Sequence, residues 1–192
     1  MNKMTSSLNI LILFSAVLTT IVHAGCPDDN ANPMPIYRYW NGSVKDHFYT
    51  QNPNELGPSG GGGWGPEGVA FNLPQQPISG WLPVYRYWKG APANDHFYTT
   101  NASEIGTTTL GASGNYGYTS EPSIGYISPN PLPGLVPVYR YWNGSVYDHF
   151  YTINASEIGT TTVGATGNDG YVMEMILGYA YPPNANPTPV SQ

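Results

Sequence analysis

The sequence predicts an all-β fold with short helical turns, built from three tandem repeats in a pseudo-threefold, β-trefoil-like closed arrangement; a small propeller-like arrangement is the alternative. Three observations predict it. Tyr37-Arg38-Tyr39-Trp40 recurs as Tyr85 to Trp88 and as Tyr139 to Trp142, so the repeat starts lie 48 and 54 residues apart. The chain of 192 residues holds 23 Gly, 19 Pro and 16 Tyr, and only 9% of it is charged. That composition suits many short strands and tight turns and excludes a coiled coil. The aromatic content of 14% also excludes a disordered chain. Finally, each unit offers three or four strands and cannot bury both faces alone, so the units must cover one another.

Residues 1–24 have the pattern of a secretory signal peptide. Lys3 gives a positive start, Ile10 to Val22 is an uncharged, mostly apolar run, and Val22-His23-Ala24 supplies small residues at the −3 and −1 positions of a cleavage site. The run has 13 residues, short of the roughly 20 that a membrane span needs. Ala24-Gly25-Cys26 also fits the end of a bacterial lipobox, but His23 stands where Leu is expected. Losing Lys3 with the leader takes the formal charge from −6 to −7. A secreted, extracellular protein is expected, with a linker over 25–34 carrying Cys26. This is the only cysteine, so the chain is a monomer or a Cys26-linked dimer.

A single domain over 35–181 follows, in repeats 35–74, 83–129 and 137–181. Ile36 to Trp40 and Asp46 to Thr50 read as strands joined by a loop containing Asn41-Gly42. Alternation puts Tyr37 and Tyr39 on one face and Arg38 and Trp40 on the other. It likewise separates Asp46, Phe48 and Thr50 from His47 and Tyr49. Asn101 to Gly106 reads as one helical turn closed by Gly. Gly62 to Phe71 and its counterparts supply a third strand or a fourth. Pro-rich connectors separate the units, and 182–192 reads as a loose tail.

The charges follow the repeat. Arg38, Arg86 and Arg140 sit in the first motif, and Asp46, Asp95 and Asp148 open the second. The six Glu fall three and three at two later positions, Glu55, Glu104 and Glu157, then Glu67, Glu121 and Glu174. Charge placed once per unit predicts structural ion pairs for Arg38, Arg86 and Arg140.

Taken together, the Tyr-Arg-Tyr-Trp strand, the Asp-His-Phe-Tyr-Thr strand, the turn with Glu and the closing Glu-Gly strand resemble a family of secreted repeats with no assigned function. The resemblance covers Pro35 to about Tyr181. It implies a non-catalytic extracellular module of a kind often guessed to bind glycans or cell walls, and it transfers no catalytic residues. The first repeat departs from the pattern. It lacks the Gly-Thr-Thr-Thr of 106–109 and 159–162 and carries Gly60 to Gly63 and Trp64 instead.

No enzyme is expected. Cys26 is isolated, no Gly-x-Ser-x-Gly elbow occurs, and three copies of one catalytic carboxylate pair would be unusual in so small a domain. No cofactor is expected. The weak metal candidate is a convergence of His47, His96 and His149 on a threefold axis, and no calcium-loop string occurs. The acidic balance argues against nucleic acid as a partner. Extracellular glycans or a matrix polymer remain. Trp40, Trp88 and Trp142 end their strands beside a loop, with Asp46, Asp95 and Asp148 across it, so each repeat offers an aromatic face and an acid to a sugar. The competing expectation is that these Trp are core. Asn41, Asn101, Asn143 and Asn154 lie in Asn-x-Ser sequons and are N-glycosylation candidates; glycans at Asn41 and Asn143 would crowd the Trp site. The expected function is a secreted, lectin-like, carbohydrate-binding repeat protein. The alternative is a structural glycoprotein of an extracellular matrix, coat or mineralised layer.

Overall fold

The computed structural model describes residues 32–57 and 59–185. The expected leader 1–24, Cys26 with most of the linker, and most of the tail lie outside the described residues. The fold is all-β. Its helical content among the described residues is single 3-10 turns, and no described helix is long and apolar enough to cross a membrane.

In repeat 1, β1 (Pro33–Asn41) is the central strand, flanked by β2 (Asp46–Thr50) and β3 (Gly65–Pro74), all antiparallel. Repeat 3 has the same order with β9 (Val136–Asn143), β10 (Asp148–Thr152) and β11 (Val172–Ala180). In repeat 2 the long strands are interrupted. β4 (Leu82–Pro83) and β5 (Tyr85–Lys89) stand where repeat 1 has β1, with β6 (Asp95–Thr99) beside β5. β7 (Thr119–Glu121) and β8 (Tyr126–Ile127) stand where it has β3. Bonds from the Val84 N–H to Gly125 O and from the Ile124 N–H to Val84 O, at 2.9 and 3.0 Å, carry the pairing across the gap. The fourth strand is thus a broken third.

The predicted face assignments hold. Arg38 pairs in register with Tyr49 and Trp40 with His47, while Tyr39 opposes Phe48. All five residues of β2, of β6 and of β10 are buried, on both faces. These are sheet-edge strands, and unpaired edges are a hazard in water. They are buried because the three sheets meet along them. Tyr98 Oη accepts the Tyr49 N–H at 2.7 Å and donates to Tyr49 O at 2.9 Å. Tyr151 does the same for Tyr98, and Tyr49 for Tyr151, at 2.8–2.9 Å. The three phenols form a closed circuit in which each hydroxyl satisfies both backbone groups of a neighbour's edge, and burial holds all three far above the ordinary tyrosine pKa.

Around this circuit lies one shared core that includes Ile36, Phe71, Leu73, Val84, Ile124, Ile127, Val138 and Leu177 from all three repeats. Smaller clusters lie farther out, Tyr87, Phe97, Ile105 and Tyr118 in repeat 2 and Tyr141, Phe150, Ile158, Tyr171 and Met173 in repeat 3. The sheets stay separate, and none closes into a barrel.

Candidate functional site

Each junction between repeats uses the same side chains. The predicted 3-10 turns, Pro53–Glu55, Ala102–Glu104 and Ala155–Glu157, are capped by Asn52, Asn101 and Asn154, whose Oδ1 accepts a backbone N–H two residues on. The turn delivers its Glu to the Arg of the next repeat. Arg140 grips Glu104 through Nη1 and Nη2 at 3.2 and 3.0 Å, and Arg38 grips Glu157 at 3.3 and 2.9 Å. Each Arg also gives Nε to the second acid of its own repeat, Arg38 to Glu67 and Arg140 to Glu174, both at 2.8 Å. Burial opposes the charge on Glu104 and Glu157. Bonds from Arg and from Thr99 or Thr152 outweigh it and hold both below the usual carboxylate range. The guanidinium planes lie over the Phe of the preceding repeat, Arg38 over Phe150, Arg86 over Phe48 and Arg140 over Phe97, 4.9–5.0 Å from each ring centre. Arg38, Arg86 and Arg140 are therefore ion-paired between repeats as well as within them.

The junction between repeats 1 and 2 is looser. Arg86 reaches Glu55 through Nη1 alone, at 3.0 Å. Its Nε lies 2.9 Å from Glu121 Oε2, but neither atom has a well-aligned hydrogen bond.

Deeper in, Asp46, Asp95 and Asp148 correct the expectation that they meet a sugar. All are 0% exposed. Each is held by the His of the next repeat: Asp46 by His96, Asp95 by His149 and Asp148 by His47, with Nδ1 to Oδ2 at 2.6–2.7 Å. The same His donates its backbone N–H to Oδ1 at 2.8–3.0 Å. The Tyr118 and Tyr171 hydroxyls add a third bond to Asp95 and Asp148. Asp46 gets none, because Trp64 stands at the matching position: its ring is 5.7 Å from Phe48, as Tyr118 is 5.6 Å from Phe97 and Tyr171 5.6 Å from Phe150. Burial, and the two neighbouring carboxylates behind it, push Asp46 up to about 9 against the bond from His96. Burial, with Arg86 nearby, pushes His96 down to about 4 against the pull of Glu121. Both shifts favour the uncharged forms of the pair.

The weak metal candidate is corrected too. His47, His96 and His149 do not converge; each imidazole faces a carboxylate of another repeat. Among the described residues, the group close enough to share an ion is Asp46, Asp95 and Asp148, with donor atoms within 4.8 Å of one another. Their oxygens are already taken up by the His contacts, and this knot ties three repeats together.

Trp40, Trp88 and Trp142 are half-buried and belong to none of the core clusters. Each lies over the His of its own repeat, with ring centres 4.4 Å apart. Their strand-end position leaves them on the walls of clefts. The cleft between repeats 2 and 3, about 400 Å³, is lined by Trp142, Tyr147, His149 and Glu174 on one side and by Lys89, Glu104, Tyr116 and Tyr118 on the other. The equivalent cleft between repeats 3 and 1, about 500 Å³, is lined by Trp40, Lys45 and Glu67 opposite Glu157, Asp169 and Tyr171. Sequence reasoning missed the Glu, Lys and Tyr of these walls, because the walls come from two repeats about 50 residues apart and no local spacing joins them.

The sequons divide. Asn41 and Asn143 are 4% exposed, and Nδ2, the atom a glycan would occupy, donates to Gly62 O at 3.2 Å or to Asp169 O at 2.8 Å. The expectation of glycans there is corrected by that burial, and with it the crowding of Trp40 and Trp142. Asn101 and Asn154 are exposed. Their Oδ1 is held by Ser103 or Ser156 and Nδ2 is left to solvent.

No curated protein and no solved structure matches the chain. A family model described as a domain of unknown function, DUF5648, matches residues 35–181. Those residues hold all three repeats and both clefts, and the chain belongs to the DUF5648 family.

Proposed function

We propose that the protein is a secreted, non-catalytic, lectin-like carbohydrate-binding module whose ligand sites are the clefts between neighbouring repeats. The observation that carries this reading is the pairing, in each of two clefts, of a half-buried Trp with a Glu that keeps one oxygen unbonded. Glu174 and Glu67 accept the Arg Nε–H at Oε2, while Oε1 makes no hydrogen bond among the described residues. An aromatic wall takes the apolar face of a sugar and a free carboxylate oxygen takes its hydroxyls. Cleft volumes of 400–500 Å³ suit one or two sugar rings. The cyclic use of Tyr49, Tyr98 and Tyr151 supports a pseudo-threefold arrangement of the repeats. A structural matrix glycoprotein is the second reading, and the exposed Leu110 and Val163 favour it, since apolar loop tips suit self-association.

A glycan-array screen of residues 25–192, secreted from a eukaryotic host, tests the proposal. Saturable binding to a narrow sugar class, lost in Trp40→Ala/Trp142→Ala with the fold intact, is the expected result. A blank array with folded, monodisperse protein overturns it, and concentration-dependent assembly in that sample would move the assignment to the matrix reading.

A further inference from the structure

We infer that only two of the three junctions take a ligand, that the third is filled by the protein's own Trp64, and that the ligand unit is a pyranose that carries no negative charge. The inference rests on the lectin reading and adds the number of sites and the class of sugar.

Trp64 is the first support. Tyr118 and Tyr171 line their clefts and send their hydroxyls inward to Asp95 and Asp148. Trp64 has no hydroxyl to send. Its larger ring crosses the junction instead and meets His96 edge-on, with centres 6.0 Å apart. No such contact joins Tyr118 to His149 or Tyr171 to His47. An indole lying against His96, in the junction that Trp88 borders, takes the place of a flat ligand ring.

The backbone supplies a second, independent support. Among the left-handed positions beside each junction, two differ in residue type from one junction to the next. At the open clefts they are Tyr116 (φ 56°) with Tyr147 (φ 58°), and Asp169 (φ 55°) with Lys45 (φ 62°). At the junction of repeats 1 and 2 they are Gly62 (φ 61°) and Asn94 (φ 51°). Gly, Asn and Asp adopt this backbone readily, whereas Tyr and Lys do so against steric resistance. Tyr116 and Tyr147 at one open cleft and Lys45 at the other are thus held in a disfavoured conformation that the junction of repeats 1 and 2 does not impose on a large side chain, and strain of this kind concentrates where a side chain is needed for contact.

Charge sets the class of ligand. In the cleft between repeats 2 and 3, Lys89 and Arg140 face Glu104 and Glu174, and the formal charges cancel. In the cleft between repeats 3 and 1, Arg38 and Lys45 face Glu67, Glu157 and Asp169, one negative charge in excess. A uronic or sialic acid would meet no net positive charge. The Arg donors are already committed to Glu, which leaves one Lys as donor and one Glu Oε1 as acceptor, a pair suited to vicinal hydroxyls. Such sites are individually weak and act together on a repetitive polymer.

The test follows the five Trp indole N–H signals by NMR in the full secreted chain. It is titrated with methyl glycosides of neutral hexoses, N-acetylhexosamines and glucuronic acid. The expected result is saturable shifts of Trp40 and Trp142, none of Trp88, two sugars bound per chain, and at least tenfold weaker binding of the glucuronide. Trp64→Tyr should bring in Trp88 and a third sugar. If Trp64→Tyr fails to fold, Trp142→Ala must lower the number bound from two to one. Shifts of all three Trp in the unaltered protein, or preference for a charged glycoside, overturn this inference while leaving the lectin reading in place. Shifts of none, with any glycoside, overturn both.

Discussion

Repeat 1 differs from repeats 2 and 3 in one loop, and the difference separates what the repeats need for folding from what they carry beyond it. Repeats 2 and 3 share a loop whose turn, Asn115–Gly117 or Asn168–Gly170, sets a Tyr over the buried Asp. Asn115 and Asn168 pin it to Ile105 O and Ile158 O at 2.7 Å. Repeat 1 substitutes Gly60 to Gly63 and Trp64. With that change Leu56 is only half-buried where Ile105 and Ile158 are 2–3% exposed, the Arg86 contacts loosen, and Asp46 lacks the tyrosine bond that Asp95 and Asp148 receive. The ring of three tyrosines and the three Asp–His contacts are kept. The fold therefore depends on the inner ring, and the outer loops are free to differ.

The largest effect should come from the inner ring, where the repeats are alike. Tyr49→Phe, Tyr98→Phe and Tyr151→Phe each strand a buried N–H and C=O on the neighbouring strand. Each should cost roughly 2–4 kcal/mol, with the three equal within about 0.5 kcal/mol in urea unfolding. A spread much wider than that would show that the repeats do not carry the core equally.

The junctions should be unequal. Arg140→Met leaves two half-buried carboxylates, Glu104 and Glu174, without their cation and should cost about 2 kcal/mol. Arg86→Met, with its single bond to Glu55, should cost about half of that by the same measurement. Equal losses would show that the second bond of the bidentate grip adds nothing.

The pH dependence isolates Asp46. Folded, the Asp46–His96 pair holds one proton up to about 9. Unfolded, an aspartate and a histidine together hold one proton between about pH 4 and 6.5 and none above. The pair's contribution is flat between those values and falls as pH rises from about 6.5 to 9, by roughly 3 kcal/mol. Asp46→Asn mimics the protonated acid and should remove that alkaline loss. An unchanged slope in thermal melts would place the proton elsewhere. On the acid side, Glu104 and Glu157 add stability above the ordinary Glu pKa and lose it as pH falls through their depressed values, so melts should drop below about pH 4.

Smaller still is Trp64→Tyr, which restores the missing phenol over Asp46 and should change stability by about 1 kcal/mol or less. The glycan map should barely touch stability. Peptide mapping of protein secreted from a eukaryotic host should find glycans at Asn101 and Asn154 and none at Asn41 or Asn143. Occupancy at Asn143 in folded protein would contradict its bond to Asp169 O.

The strands, the faces of Arg38 and Tyr39, and the Asn-capped turns were legible because each is set within about five residues by alternation, a cap or a glycine. That each Arg would pair with an acid, Asp or Glu, was legible from their one-per-repeat placement; that the acid is Glu was not. Which Glu belongs to which Arg was not, since Arg38 reaches Glu157 across 119 positions. The same blindness misplaced Asp46, Asp95 and Asp148. At the mouth of a hairpin an Asp reads as solvent-facing, and only the packing of the next repeat's His turns it inward. Asn41 and Asn143 misled in the same way, a sequon on a turn whose amide is in fact buried under a neighbouring loop.

The circuit of three phenols also fixes a number. Each hydroxyl reads the backbone of one neighbour and is itself set on a strand read by the other, so the cycle closes at three. A chain cut to two repeats would have a strand edge with no reader, and a chain with a fourth inserted would have to open the circuit to admit it. The copy number of the repeat is written into where a tyrosine oxygen ends.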